Sequence, residues 1–206
     1  MSTKTKAQVH AIFPEVVCMA HIKLNNKALL KSVKELTFIR DNAQPKNSAT
    51  STNRYLFNEP TYQELRKKAL KEFGTFHREI LQYNHDYAVT TSWATETRPG
   101  EQSKLHKHTN CQYSGVYYVS VPEGANSIDF VQHQQGGFMT IPYRYNHHNS
   151  SRATFNLKEG SLIFFPSYMF HQINLNTSKK NRYSIAFNLI PTGIIGEGDS
   201  QLILNV

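Results

Sequence analysis

Three histidines carry the strongest chemical signal in this chain. His106-Lys107-His108 follows Gly100 at a short distance, and His171 comes soon after Gly160-Ser-Leu-Ile-Phe-Phe-Pro166. On a strand, alternating positions share a face, so His106 and His108 can reach a single ion. A third imidazole arriving from a distant strand completes the kind of shell that iron, cobalt, nickel, copper or zinc accepts. Arg182-Tyr183-Ser184 lies beyond His171 and opens an apolar run to Asn188. Arg182 and Ser184 also share a strand face, and a guanidinium beside a hydroxyl suits a carboxylate held by two hydrogen bonds. A surface salt bridge is the plainer use of an arginine, and the apolar residues around Arg182 argue against it. The pattern reads as one mononuclear transition-metal site with an anion-holding arginine beside it. The other seven histidines, His147 and His148 included, show no matched spacing.

These residues need strands to hold them. From Tyr87 onward the pattern is β, with short runs at Tyr87–Ala94, Ser114–Val121, Ser127–Val131, Ala153–Leu157, Ser161–Phe165, Met169–Leu175 and Arg182–Ile190. Glu159-Gly160 between two apolar runs suits a tight hairpin, and Pro166 ends the second run. Before the strands come an early strand near Ala11–Phe13, a short helix near Asn26–Thr37, and a polar stretch from Asp41 to Arg54. That stretch has no apolar period and is expected to be a mobile loop. A longer helix is predicted over Thr61–Tyr83, with Thr61-x-x-Glu64 as a capping box and Leu65, Ala69, Phe73, Phe76 and Ile80 on its buried face. Strands after helices mean a mainly β, α+β body with helices packed on one side. The jelly roll called the double-stranded β-helix, a cupin-like barrel, is the member of this class that seats a metal inside.

Composition sets the frame. The 206 residues, 39% hydrophobic and without a long low-complexity run, suit one domain over 1–206: a helical part over 1–85, a β core over 86–190 and a tail over 191–206. No run of roughly eighteen apolar residues and no signal-peptide core is present, so a cytoplasmic protein that is neither secreted nor membrane-bound is expected. Cys18 and Cys111 are too few for a disulfide framework and read as free thiols of a reducing compartment. Cys111, close to His108, is expected to be a small buried strand residue. The +8 net charge is N-terminal: residues 1–85 hold 14 Lys and Arg against 7 Asp and Glu, the remainder 9 against 8. Arg66, Lys67, Lys68 and Lys71 fall on the outer face of the long helix, which reads as a solvated face, and no clear nucleic-acid motif accompanies them.

Gly160-Ser-Leu-Ile-Phe-Phe-Pro166, His171 and Arg182-Tyr-Ser184 resemble the C-terminal half of the 2-oxoglutarate/Fe(II) dioxygenases. His106-Lys-His108-Thr-Asn110, followed by Ser114-Gly-Val-Tyr-Tyr-Val119, resembles their metal-motif strand. The chain is more closely similar to a group of 2-oxoglutarate oxygenases known from bacteria and phages that share a His-x-His…Ser-Gly-Val-x-Tyr signature, and Ile12-Phe13-Pro14 fits their opening. The resemblance implies Fe(II) on His106, His108 and His171, with the C5 carboxylate of 2-oxoglutarate held by Arg182 and Ser184 and contacted by Tyr118. It further implies consumption of O2 and hydroxylation of a C–H bond as 2-oxoglutarate is decarboxylated to succinate. One departure stands out: His108 occupies the position where these enzymes carry a carboxylate. Either His108 ligates, the reading preferred here, or a carboxylate such as Asp129 or a water completes the shell.

A cupin pattern is the competing reading, since Gly100…His106-x-His108 and Gly160…Pro166-x-Tyr168…His171 fit much of it. Gln112 or Tyr113 then stands where a cupin offers a ligating Glu, and Tyr168 where it has Gly. That reading keeps the three histidines and drops 2-oxoglutarate; Arg182-x-Ser184 is what it does not need. For a substrate, the long segment His133–Arg152 with Tyr143, Arg144 and Tyr145 is a candidate lid or wall for a peptide, protein or small molecule. A peptidyl prolyl group is suggested by fold analogy alone. Pairing of two barrels through an edge strand is open.

Overall fold

Alternation of apolar and polar residues after Asp86 builds two antiparallel sheets with a shared core between them. A computed structural model of the chain describes residues 8, 10, 12–44, 46–132, 141–146 and 148–205. In chain order the elements are β1 (Cys18–His21), α1 (Asn26–Lys34), β2 (Phe38–Ile39), β3 (Ala49–Ser51), α2 (Gln63–Thr75), β4 (Asp86–Thr97), β5 (Tyr113–Ser120), β6 (Ser127–Val131), β7 (Arg152–Asn156), β8 (Ser161–Pro166), β9 (Phe170–Ile173), β10 (Arg182–Ile195) and β11 (Leu202–Leu204). The larger sheet runs β1-β8-β5-β10-β4-β3-β2, with β11 folded back on the end of β10; the smaller runs β7-β6-β9. This is the double-stranded β-helix expected from the sequence.

Strand β10 lies at the centre and divides the molecule by its period of two. Tyr183, Ile185, Phe187 and Leu189 enter one core, which they share with Leu29 and Val33 of α1 and Leu65, Ala69 and Phe73 of α2. Arg182, Ser184, Ala186 and Asn188 point the other way, where Ala186 joins Val116, Tyr118, Ile128, Phe130, Ile163 and Phe165 between the sheets. The helices therefore cover the outside of the larger sheet and leave the space between the sheets for chemistry. Gly115 explains one letter of the Ser-Gly-Val signature. It pairs with Phe187 across β5 and β10, and a Cβ there would lie 2.2 Å from the Phe187 ring. Any side chain would displace that ring from the helix-side core.

Several sequence expectations change. The capping box does not form: Pro60–Tyr62 makes a 3-10 turn, Thr61 sits inside it, and Tyr62 takes the N-cap position without a side-chain bond. The long helix ends at Thr75 and continues as a π turn over Phe76–Ile80. The wider turn rotates the following residues, so Phe76 and His77 are buried while Ile80 is 63% exposed. The stretch 41–54 is not irregular throughout, because Ala49–Ser51 is a strand between β2 and β4 with Ala49 and Ser51 fully buried. Glu159-Gly160 does not join a hairpin. Strands β7 and β8 belong to different sheets, and Gly160 (φ +85°) turns the corner between them with its Cα against His21. The tail beyond Ile190 is structured, since β10 continues to Ile195 and pairs with β11. The early strand is β1 at Cys18–His21; Ala11 lies outside the described residues, and Ile12 and Phe13 are not strand. Cys111 sits half-buried in a loop with Sγ 3.4 Å from the Thr109 carbonyl, so it is not a strand residue. Among the described residues no helix is long and apolar enough to cross a membrane.

A buried charge cluster fixes the approach to the first histidine. The Arg40 guanidinium, beyond β2, donates to both Glu96 and Glu101, each 7% exposed. Tyr183 and Asn181 also donate to Glu96, and the Arg98 amide caps Glu101. Burial works to raise the Glu96 pKa, but Tyr183, Arg98 and Arg40 together bring it below its ordinary value. The wild type thus holds this contribution fully above about pH 4.3 and loses it as pH falls further. Arg40→Ala leaves Glu101 with the Arg98 amide and Glu96 with Arg98, Tyr183 and Asn181, and removes the cation the two carboxylates share. A destabilisation of about 3–5 kcal/mol is expected, read as a lower urea midpoint with an unchanged slope; a midpoint at the wild-type value would mean that Glu96 and Glu101 do not depend on Arg40.

Candidate metal centre

The segment after β4 carries the His-x-His pair along the edge of β9. The Ser103 amide donates to the Ile173 carbonyl (3.1 Å), and His106 and His171 exchange backbone hydrogen bonds of 3.0 and 2.8 Å. These bonds make His106 and His171 direct antiparallel partners, with ring centroids 4.3 Å apart. His108 is held by its amide to the Ser167 carbonyl (2.9 Å), and its ring lies 5.3 Å from His106 and 5.1 Å from His171. Nitrogen atoms of the three rings fall within 4.8 Å of one another.

The outer nitrogens point to which atoms face inward. His106 Nδ1 lies 2.8 Å from the Lys104 carbonyl and His171 Nδ1 3.0 Å from the Met169 carbonyl. A carbonyl only accepts, so each Nδ1 carries the proton and each Nε2 keeps its lone pair. His171, 4% exposed and packed on Phe165, has its pKa pushed down to about 3, first by burial and then by the neighbouring His106. It stays neutral throughout the physiological range. Burial likewise lowers the His108 pKa. Three imidazoles whose nitrogens converge on one point are a donor set that fits a divalent transition ion.

The ring cluster opens on a cavity of about 360 Å³, lined also by Trp93, Tyr118 and Ser184. Strand pairing arranges its wall in rows across β4, β10 and β5: Thr95–Ser184–Tyr118, then Trp93–Ala186–Val116, then Thr91–Asn188–Ser114. Below the first row lies Arg182, 1% exposed. Its Nη1 is 3.4 Å from the Ala125 and Ser127 carbonyls and its guanidinium lies 4.9 Å from the Tyr118 ring centroid. Arg182 Nε and Nη2 and the Tyr118 hydroxyl have no hydrogen-bond partner among the described residues, and no carboxylate there pairs with Arg182. Burial of a cation with unused donors is costly unless an anion meets it. A carboxylate ligand fits that requirement.

Asp129, the alternative carboxylate, is turned away. It alternates with Ile128 and Phe130, which face the core, and accepts hydrogen bonds from Arg152 (2.6 Å), Thr154 (2.6 Å) and Asn174 (2.9 Å) on the other side of β6. Burial acts to raise its pKa, and these donors outweigh it and lower the pKa. Tyr143 and Tyr145 are exposed and do not line the cavity; residues 133–140 and 147 of the suggested lid lie outside the described residues. Sequence reasoning missed Trp93, whose ring centroid is 5.6 Å from that of His108, and the Asn47, Ser48 and Thr50 contribution to the cavity rim. It also missed Asn188 and Ser114 behind His108. For Asn188 the signal was available, since it continues the two-residue alternation from Arg182 through Ser184 and Ala186.

Residues 91–188, which include all six candidate site residues, match the family described as "Putative 2OG-Fe(II) oxygenase". HygX from Streptomyces hygroscopicus, solved with nickel, 2-oxoglutarate and hygromycin B bound, is similar over 86% of this chain and 84% of its own, with TM-score 0.62 and 13% identity. The viral collagen prolyl hydroxylase of Paramecium bursaria Chlorella virus-1, in its 2-oxoglutarate complex, is similar over 84% of this chain and 94% of its own, with TM-score 0.57 and 14% identity. A prolyl hydroxylase from Trichoplax adhaerens, in complex with a hypoxia-inducible-factor peptide, gives TM-score 0.60 at 11% identity over 84% of this chain and 83% of its own. Comparison with curated protein sequences finds no match. The matched segment and the solved structures that share this fold are those of 2-oxoglutarate/Fe(II) oxygenases. The cupin alternative, which has no use for 2-oxoglutarate, is not favoured.

Proposed function

We propose that His106, His108 and His171 hold Fe(II) through their Nε2 atoms, and that Arg182, with Ser184 and Tyr118, holds the C5 carboxylate of 2-oxoglutarate. One observation carries this reading: a fully buried guanidinium with unused donors lies on the same strand face as the wall of the three-histidine cavity. With O2, the bound metal and cosubstrate supply oxidative decarboxylation to succinate and carbon dioxide, coupled to hydroxylation of a C–H bond. The chain's own residues prepare that chemistry. The Lys104 and Met169 carbonyls fix two imidazole tautomers, Arg182 orients the cosubstrate by charge and fork geometry, and Trp93, Val116 and Ala186 form an apolar wall that limits water.

The substrate is a peptide, protein or small molecule whose reacting group enters past Asn47, Ser48 and Lys104, and a peptidyl proline is the first peptide group to try. The whole chain acts as one oxygenase domain. Free Cys18 and Cys111 suit a reducing compartment, the cytoplasm of the producing or host cell. The test is anaerobic titration of the Fe(II)-loaded protein with 2-oxoglutarate. A weak visible metal-to-ligand charge-transfer band that saturates with cosubstrate is expected. Demonstrable iron binding without the band would sink the 2-oxoglutarate assignment and leave a metal protein of another kind.

A further inference from the structure

Two of the three candidate ligands are held by backbone carbonyls, which can only accept a hydrogen bond. His108 is different. Its Nδ1 lies 2.8 Å from the side-chain oxygen of Asn188 and 2.8 Å from the Ser114 hydroxyl. An amide side chain can present either its oxygen or its NH2, and a hydroxyl can donate or accept, so the tautomer of His108 depends on how these side chains are set. If the NH2 of Asn188 or the proton of Ser114 pointed at Nδ1, His108 would carry its proton on Nε2 and lose the lone pair that faces the metal.

The cross-strand row, as placed, accommodates the Nδ1–H form, with the Asn188 oxygen facing His108 and its NH2 facing Thr91. Asn188 lies on β10 opposite Thr91 on β4 and Ser114 on β5. Its NH2 donates to Thr91 Oγ1 (3.1 Å) while the amide oxygen faces His108. Ser114 donates to that same oxygen (3.0 Å), and its hydroxyl is 2.8 Å from Ser167 Oγ. One circuit joins these groups without conflict: Ser167 to Ser114, Ser114 to Asn188 Oδ1, Asn188 NH2 to Thr91, and His108 Nδ1–H to Asn188 Oδ1. In that circuit no donor is aimed at Nδ1.

We infer that Asn188 is a positioning residue that sets the Nδ1–H tautomer of His108 and so makes the third imidazole a ligand. The inference rests on the reading of His108 as a metal ligand and adds the device that permits it. It also defines the electrostatics of the site. The carboxylate missing from the shell is not restored behind it, because a neutral amide backs His108. Asn188→Asp would place a negative acceptor there, the arrangement that raises the basicity of a ligating histidine.

The experiment uses metal-free protein first and Co(II) second. Long-range proton–nitrogen NMR on the metal-free wild type is expected to show His106, His108 and His171 all protonated at Nδ1. In Asn188→Leu, His108 alone is expected to populate the Nε2–H form while His106 and His171 keep theirs, and Co(II) affinity is expected to fall about 10–100-fold. Asn188→Asp is expected to keep the Nδ1–H form and to bind Co(II) at least as tightly as the wild type. An unchanged His108 tautomer and unchanged Co(II) affinity in Asn188→Leu overturns the inference. Should Asn188→Leu fail to fold, Asn188→Asp decides it, and Co(II) binding weaker than wild type in that variant is equally fatal. A wild type that shows the Nδ1–H form yet binds no Co(II) would count against the metal-site reading and leave the tautomer assignment standing.

Discussion

Arg182→Leu is expected to bind Fe(II) or Co(II) like the wild type and to lose 2-oxoglutarate. The guanidinium is 1% exposed and two of its nitrogens lack a hydrogen-bond partner among the described residues, which is the basis for proposing that its charge meets an anion. Leaving the incoming carboxylate without its cation costs on the order of 3–5 kcal/mol, a fall in cosubstrate affinity of about 10²- to 10⁴-fold. The same substitution removes an uncompensated buried charge, and the melting temperature without ligands should hold or rise. Arg182→Lys keeps the charge and loses the fork, so it should recover part of the affinity only. Calorimetry with 2-oxoglutarate on the Co(II)-loaded variants measures all three. Wild-type cosubstrate affinity in Arg182→Leu would mean that the carboxylate is held elsewhere.

The second large effect is expected at His171. Paired to His106 through the backbone and packed on Phe165, it is the most buried of the three imidazoles. Wild-type protein with divalent metal at about 100 times its dissociation constant should gain about 2.7 kcal/mol of stability, a rise in melting temperature of roughly 5–11 °C for a chain of this size. His171→Ala should show almost none of that gain, because two imidazoles from one short segment cannot replace a ligand from a facing strand. Thermal melts with and without Co(II), run on both proteins, decide the matter. An equal metal-dependent shift in the variant would remove His171 from the site.

How much of this could be read in advance depended on distance along the chain. The period-two runs placed β4 to β10 because each strand's alternation is local, and the long separation of His106 and His171 was bridged by motif spacing. Features that depend on neighbours were not legible. Ile80 fits a helical stripe, but the π turn that exposes it answers to packing of Phe76 and His77 under the sheet. The polar stretch before Arg54 looked structureless because β3 is only three residues long and gains its pairing from β2 and β4. Glu159-Gly160 marked a real turn, yet nothing in those residues says that β7 and β8 leave it for different sheets. Asp129 was a fair candidate by type and distance; only the register of β6 shows that it faces the wrong way.

The three rows across β4, β10 and β5 have a consequence for how such a site can diversify. Each row spans the same three strands, and under the proposed assignment each serves a different customer: the cosubstrate tail, the cavity wall, and the amide that backs the third imidazole. Pairing runs unbroken from Ser184 to Asn188, with an irregularity at each end, between Tyr183 and Ser184 on one flank and between Asn188 and Leu189 on the other. The three storeys therefore share one continuous register, set by backbone pairing. Under the proposed assignment, the middle storey, Trp93–Ala186–Val116, is where a change of side-chain size would alter which substrate fits, while the storeys on either side are the ones tied to iron and 2-oxoglutarate.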